Sequence, residues 1–127
     1  MGKTKQQSRK KMYEICKKKL IEIKEHHLNI LQGLSSELVK ETSGDIGDQA
    51  RQLQEETMSL ARRDKLNSEL NEIEGALQRI KNNTFGVCEE TGTPIEERRL
   101  KAIPWARLSL EGAEIREMEK EDKEKIG

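Results

Sequence analysis

With 127 residues, 32% of them hydrophobic and 38% charged, and with Tyr13, Phe85 and Trp105 as the only aromatic side chains, this chain lacks the material for a large globular core. Long, solvent-clad helices are what such a composition builds. No apolar run reaches the roughly 18 residues of a membrane span, and the basic N-terminus lacks the apolar segment of a signal peptide, so a cytoplasmic protein with no membrane partner is expected.

In chain order, a basic arm comes first, over residues 1–10. Lys3, Lys5, Arg9, Lys10, Lys11, Lys17, Lys18 and Lys19 are opposed only by Glu14 in the first twenty residues. Such an arm either touches nucleic acid or an acidic surface, or is a frayed, solubilising terminus. Tyr13, Cys16, Leu20, Ile23, His27, Ile30 and Leu34 then alternate in steps of three and four, with Leu38 closing the series. That is a coiled-coil seam, and it predicts a first helix from about Ser8 to about Thr42. His26 and His27 point about 100° apart on that helix and have no third ligand a turn away, so they read as surface and seam residues, not metal ligands.

Thr42-Ser43-Gly44-Asp45-Ile46-Gly47-Asp48 supplies two glycines and several capping residues, a turn signal. A second seam follows through Ala50, Leu53 and Leu60 into Leu66, Leu70, Ile73, Leu77 and Ile80, capped by Asp45 or Asp48 and ending near Asn82-Asn83. Each helix is expected to reach roughly 50 Å. Two equal seams across a short turn make an antiparallel coiled-coil hairpin over residues 11–83, with its tip at 43–50.

Residues 84–127 form a small base. Phe85 to Ala106 reads as a zinc ribbon without its zinc: a Cys-x-x-Cys knuckle needs a second cysteine at Thr91, and the partner pair falls on Ser109 and Gly112. Structural zinc takes a closed shell of four thiolates or imidazoles, so Cys88 with Thr91, Ser109 and Gly112 implies that zinc is absent. Cys16 and Cys88, the only cysteines, are expected as buried thiols. The predicted base is a loop-and-strand module over Gly86 to Ala106 and a helix from about Arg107 to about Glu124. Its core would be Phe85, Val87, Ile95, Leu100, Ile103, Trp105 and Leu108, packed against the helix ends near Tyr13 and Ile80. The fold class is thus dominated by α-helix.

The succession of long helix, Asp45-x-x-Asp48-x-Ala50 tip, long helix, glycine-cysteine knuckle, threonine-glycine turn, Arg-Leu-x-Ala-x-Pro and terminal helix resembles the DksA/TraR family of bacterial transcription regulators. The resemblance covers nearly the whole chain after about residue 10, and the missing cysteines align it with zinc-free members. It implies a non-enzymatic, cofactor-free regulator without sequence-specific DNA contact, a monomer that binds core RNA polymerase through the secondary channel. There Asp45, Asp48 and Ala50 at the tip approach the active site and alter open-complex stability, while Arg63 and Lys65 fit the basic positions used at the channel rim. The lysine and arginine positions with which relatives hold the alarmone ppGpp fall on Glu72, Ile103 and Ala113, so ppGpp binding is expected to be weak or absent. The rival readings are a Gre-like transcript-cleavage factor, whose acidic pair would grip a magnesium ion, and a coiled-coil adaptor that recruits another helix.

Overall fold

The three-four spacing that begins at Tyr13 closes into one uninterrupted helix, α1 (Lys5–Glu37), followed in the computed structural model by α2 (Ile46–Lys81), α3 (Glu97–Ala102) and α4 (Leu110–Ile126). The structure describes residues 5–37 and 45–126. Leu38 and the expected turn residues Thr42, Ser43 and Gly44 lie outside them, as does the start of the basic arm. α1 begins three residues before the predicted Ser8. Every predicted seam residue from Tyr13 to Leu34 is buried or half-buried, Leu20 completely.

The two long helices pack against each other, and the chain divides into two compact units whose limits cut both helices. A base unit comprises Met1–Ile21 with Ile73–Gly127, and a hairpin unit comprises Glu22–Glu72. α2 starts where the capping residues require: Asp45 Oδ1 accepts from the Asp48 amide at 2.9 Å, satisfying a donor that the first helical turn leaves open. It stops at Asn83, which adopts a left-handed conformation at φ 61°. There the Asn83 amide bonds to the Ile80 carbonyl and the Thr84 amide to the Arg79 carbonyl, the paired closure of a Schellman motif with asparagine in the position usually held by glycine.

In the base unit the expected strands do not form. Among the described residues the only ladder contact is an isolated antiparallel bridge between Val87 and Pro94. α3, which the alternating pattern concealed, occupies Glu97–Ala102 and buries Leu100. The terminal helix begins three residues later than predicted, at Leu110, because Ser109 caps it: its hydroxyl accepts from the Gly112 amide at 3.0 Å.

The core also differs from expectation. Phe85, Ile95 and Leu100 are buried as predicted, together with Met12, Cys16, Leu20, Ile73, Ala76, Cys88, Pro104 and Ala106. Val87 and Ile103 are exposed, and Trp105 and Leu108 are only half-buried. Tyr13 meets Phe85 edge to face with ring centroids 5.2 Å apart, the expected contact between helix end and base. Gly86 makes that contact possible. Its φ is +83°, and a Cβ there would fall 2.5 Å from the Tyr13 hydroxyl.

Four cationic side chains complete the base in a way the sequence pattern did not announce. Arg9 donates to the Gly86 and Ile95 carbonyls, Lys19 to Lys101, Arg79 to Trp105, and Arg99 to Leu108. Loops without a β-ladder leave carbonyls in need of donors, and charged donors make the stronger bonds. These bonds tie the loops of the base to α1, α2 and α3.

Candidate functional site

In the hairpin unit, Asp45 just before α2 and Asp48 and Ala50 near its start are all exposed. The two carboxylates have separate jobs. Asp45 is committed to the cap, while Asp48 stays 54% exposed and, among the described residues, pairs with Arg51 at 3.7 Å. An exposed pair of that length is weak, so Asp48 is available to a partner.

Arg63 and Lys65 do not form one patch, since two positions on a helix point about 200° apart. Arg63 is half-buried, in line with the inward-facing Leu66, Leu70 and Ile73, and its Nη2 is buried without a hydrogen bond. Lys65 is exposed and shares its side of α2 with Arg62, three residues earlier. His27 lies buried on the seam, its Nε2 2.6 Å from Glu69 Oε2 and its Nδ1 without a partner, while His26 is exposed. Sequence spacing gave no hint of the His27–Glu69 pair, because Glu69 sits beside, not on, the predicted seam position Leu70. Glu72, a candidate position for a ppGpp-binding cation, is half-buried, as is Ala113, while the third position, Ile103, is exposed.

In the base unit, the four degenerate ligand positions do come together. The Cys88 amide bonds to the Thr93 carbonyl at 2.8 Å and the Gly92 amide to the Cys88 carbonyl at 2.9 Å, which folds the knuckle around the sulfur. Burial pushes the Cys88 thiol up, but hydroxyl and amide donors from Ser109 and Thr91 together outweigh it and bring the thiol down to about 6. Gly112 approaches so closely that a Cβ there would overlap Cys88 Sγ. A tetrahedral zinc shell needs four soft donors spread around an ion with Zn–S near 2.3 Å. Here one thiol, two hydroxyls and a side-chain-free glycine have closed in on each other, and this donor set does not fit zinc. Among the described residues, no group of three or more His, Cys, Asp or Glu side chains is placed to hold a metal ion. Arg116 of α4 reaches Glu90 at 3.1 Å and Glu89 at 3.6 Å, a further link between helix and knuckle.

Cys16 behaves in the opposite way. Burial raises its thiol, against the lowering fields of Lys19 and Lys101, and both cysteines are free.

A coiled-coil pair with an acidic first turn on its second helix, and a cysteine knuckle capped by a terminal helix, define a class: helical-hairpin proteins built on a zinc-finger-like base. The Prokaryotic dksA/traR C4-type zinc finger family matches residues 83–117. The "RNA polymerase-binding transcription factor DksA" of Caulobacter vibrioides is 37% identical over 106 residues, covering 82% of this chain and 75% of that protein. The protein of the same name from Escherichia coli is 38% identical over 73 residues, 55% of this chain and 48% of the relative. Among solved structures, transcription factor DksA2 from Pseudomonas aeruginosa superposes with a TM-score of 0.78 at 26% identity, over 87% of this chain and 86% of the other. This chain belongs to the DksA/TraR family.

Proposed function

We propose that this protein is a non-enzymatic, cytoplasmic transcription regulator that binds RNA polymerase. The observation that carries the reading is the 37% identity, over most of both chains, to a relative named for binding RNA polymerase. The division of labour in the first turn of α2 supports the mechanism. With Asp45 holding the helix end, Asp48 and Ala50 are free to meet the polymerase. Entering by the secondary channel, they act near the active site and change the lifetime of the open complex.

The engagement of Asp45 in the helix cap favours regulation over a cleavage factor's shared grip on magnesium, which draws on two available carboxylates. Lys65, with Arg62 as its neighbour in place of the inward-turned Arg63, supplies cationic contacts at the channel rim. The base works without zinc, since its donor set is wrong for the ion, and ppGpp binds weakly or not at all because Glu72, Ile103 and Ala113 offer no cation to phosphate.

The test is a comparison of Asp48→Asn with the unmodified protein on purified polymerase. The variant should keep its affinity and lose its effect on open-complex lifetime; an undiminished effect would reduce Asp48 to a helix-end charge. Less than one zinc per chain by elemental analysis is expected, and a full equivalent would overturn the zinc-free reading.

A further inference from the structure

The distal half of α2 turns its apolar side chains outward. Ile46, Leu53 and Leu60 are 84%, 65% and 51% exposed, whereas Leu66 and Ile73 on the same helix are 8% and 0% exposed. The cause is a slip in the repeat. Ile46, Ala50, Leu53, Thr57 and Leu60 step by four and three, but Leu60 to Leu66 is six residues where a heptad takes seven. Carried backward, the buried phase of Leu66, Leu70 and Ile73 lands on Arg63, Ser59, Glu56 and Gln52; Arg63, Ser59 and Gln52 are the half-buried residues of this segment, while Glu56, on the side of that phase nearer Leu53 and Leu60, is exposed. The distal part of α2 therefore turns polar residues inward and leaves an apolar stripe more than 100° away around the helix.

Three large aliphatic side chains on one exposed heptad stripe mark an interaction surface. A stripe stepped by four and three receives the side chains of another helix, knob into hole. Its borders narrow the choice of partner: Glu56 flanks it, and Asp64, one step beyond Leu60, ends it, both exposed. Its size narrows it further. The stripe is about 21 Å long and about 10 Å wide, far short of the roughly 800 Å² per partner that a stable, specific complex buries. Two copies of this chain joined only by this stripe would not hold together, so the occupant must add contacts elsewhere. Ala50 lies within the stripe and is already assigned to polymerase contact.

Resting on the reading that RNA polymerase is the partner, we infer that Ile46, Leu53 and Leu60 form the apolar anchor of this protein on the polymerase, receiving an amphipathic polymerase helix whose flanks carry cations opposite Glu56 and Asp64.

Equilibrium binding of the full chain to purified core polymerase tests this, with thermal melts as the folding control. Leu53→Ser combined with Leu60→Ser should weaken binding about a hundredfold with an unchanged melting temperature. Leu53→Met, which keeps the apolar bulk, should bind within about twofold of the unmodified protein. If the unmodified protein binds and the double serine variant binds equally well, the anchor is wrong and the proposed function stands. If the unmodified protein does not bind polymerase, the proposed function falls and the anchor with it. Sedimentation should find a monomer; a dimer dissolved by the serine pair would assign the stripe to a second copy and overturn the inference.

Discussion

Leu60 and Leu66 are the same residue type on one helix, six positions apart, yet one is half in solvent and the other nearly sealed. The apolar spacing over Ile46–Leu60 and that over Leu66–Ile80, about four turns each, are equally good helix signals. They differ only in phase. Periodicity thus determines that a segment is helical, but where two phases meet, only packing against the neighbouring helix decides which side is core. In α2 the phase of Ile73 prevails, and the distal apolar residues are left for something outside the chain.

The sharpest way to break that comparison is to truncate one residue from each phase. Ile73→Ala deletes a fully buried side chain and should cost about 2–5 kcal/mol, whereas Leu53→Ala should stay within about 0.5 kcal/mol. Urea unfolding of the two variants reads the difference directly. Equal losses would mean that the distal stripe is buried in solution and that the phase slip has no structural consequence.

Next in size is Gly86→Ala. It places a side chain on a backbone at φ +83° and against the Tyr13 ring, so a loss of about 2–4 kcal/mol is expected. Tyr13→Ala in the same chain should recover only the steric part, because the backbone strain remains. Full recovery would show that Gly86 is needed for room alone.

Gly112→Ala sharpens the contrast at the collapsed knuckle. Its Cβ would overlap Cys88 Sγ, at an expected cost of about 1–3 kcal/mol. Cys88→Ala removes the obstructing sulfur, and the double variant should recover most of that loss, a coupling measurable in a double-mutant cycle. Additive losses would mean that the knuckle is more open than the close approach of Gly112 implies.

The long helices, the seam from Tyr13 to Leu34, the end of α2 at Asn82-Asn83 and the meeting of positions 88, 91, 109 and 112 were all legible in the sequence. They rest on local signals: period, capping residues and knuckle spacing. α3 was not legible, because Glu97–Ala102 is a six-residue helix without a side-chain N-cap bond and its one buried residue, Leu100, fits an alternating pattern equally well. The outward stripe was missed because Ala50, Leu53 and Leu60 were joined to Leu66 as though the repeat ran on. Nor did any motif signal the bonds from Arg9, Lys19, Arg79 and Arg99 to base carbonyls, since long cationic side chains reach acceptors far away in sequence. The half-burial of Arg63 has the same origin as the exposure of Leu53: its phase, which places it on the inner seam, becomes visible only once the slip is recognised.

The last prediction concerns the sulfur that remains where a metal-binding relative would have four ligands. In the folded chain, donors from Thr91 and Ser109 hold the Cys88 thiol near 6, below its ordinary 9.0. Between these values the folded state carries the thiolate and the unfolded chain the thiol, so the unfolded state binds more protons and stability rises with pH from about 6 to about 9. That contribution is complete above the upper value and lost as pH falls through the lower one. Thiolate absorbance, taken as the difference between the unmodified protein and Cys88→Ala, should have its midpoint near 6. Thr91→Val with Ser109→Ala removes both hydroxyl donors while keeping the backbone amides, so the midpoint should climb only part of the way toward the ordinary value. A midpoint already ordinary in the unmodified protein would mean that the four converging positions do not enclose the sulfur. The base would then owe its order to its apolar core and its cation-to-carbonyl bonds alone.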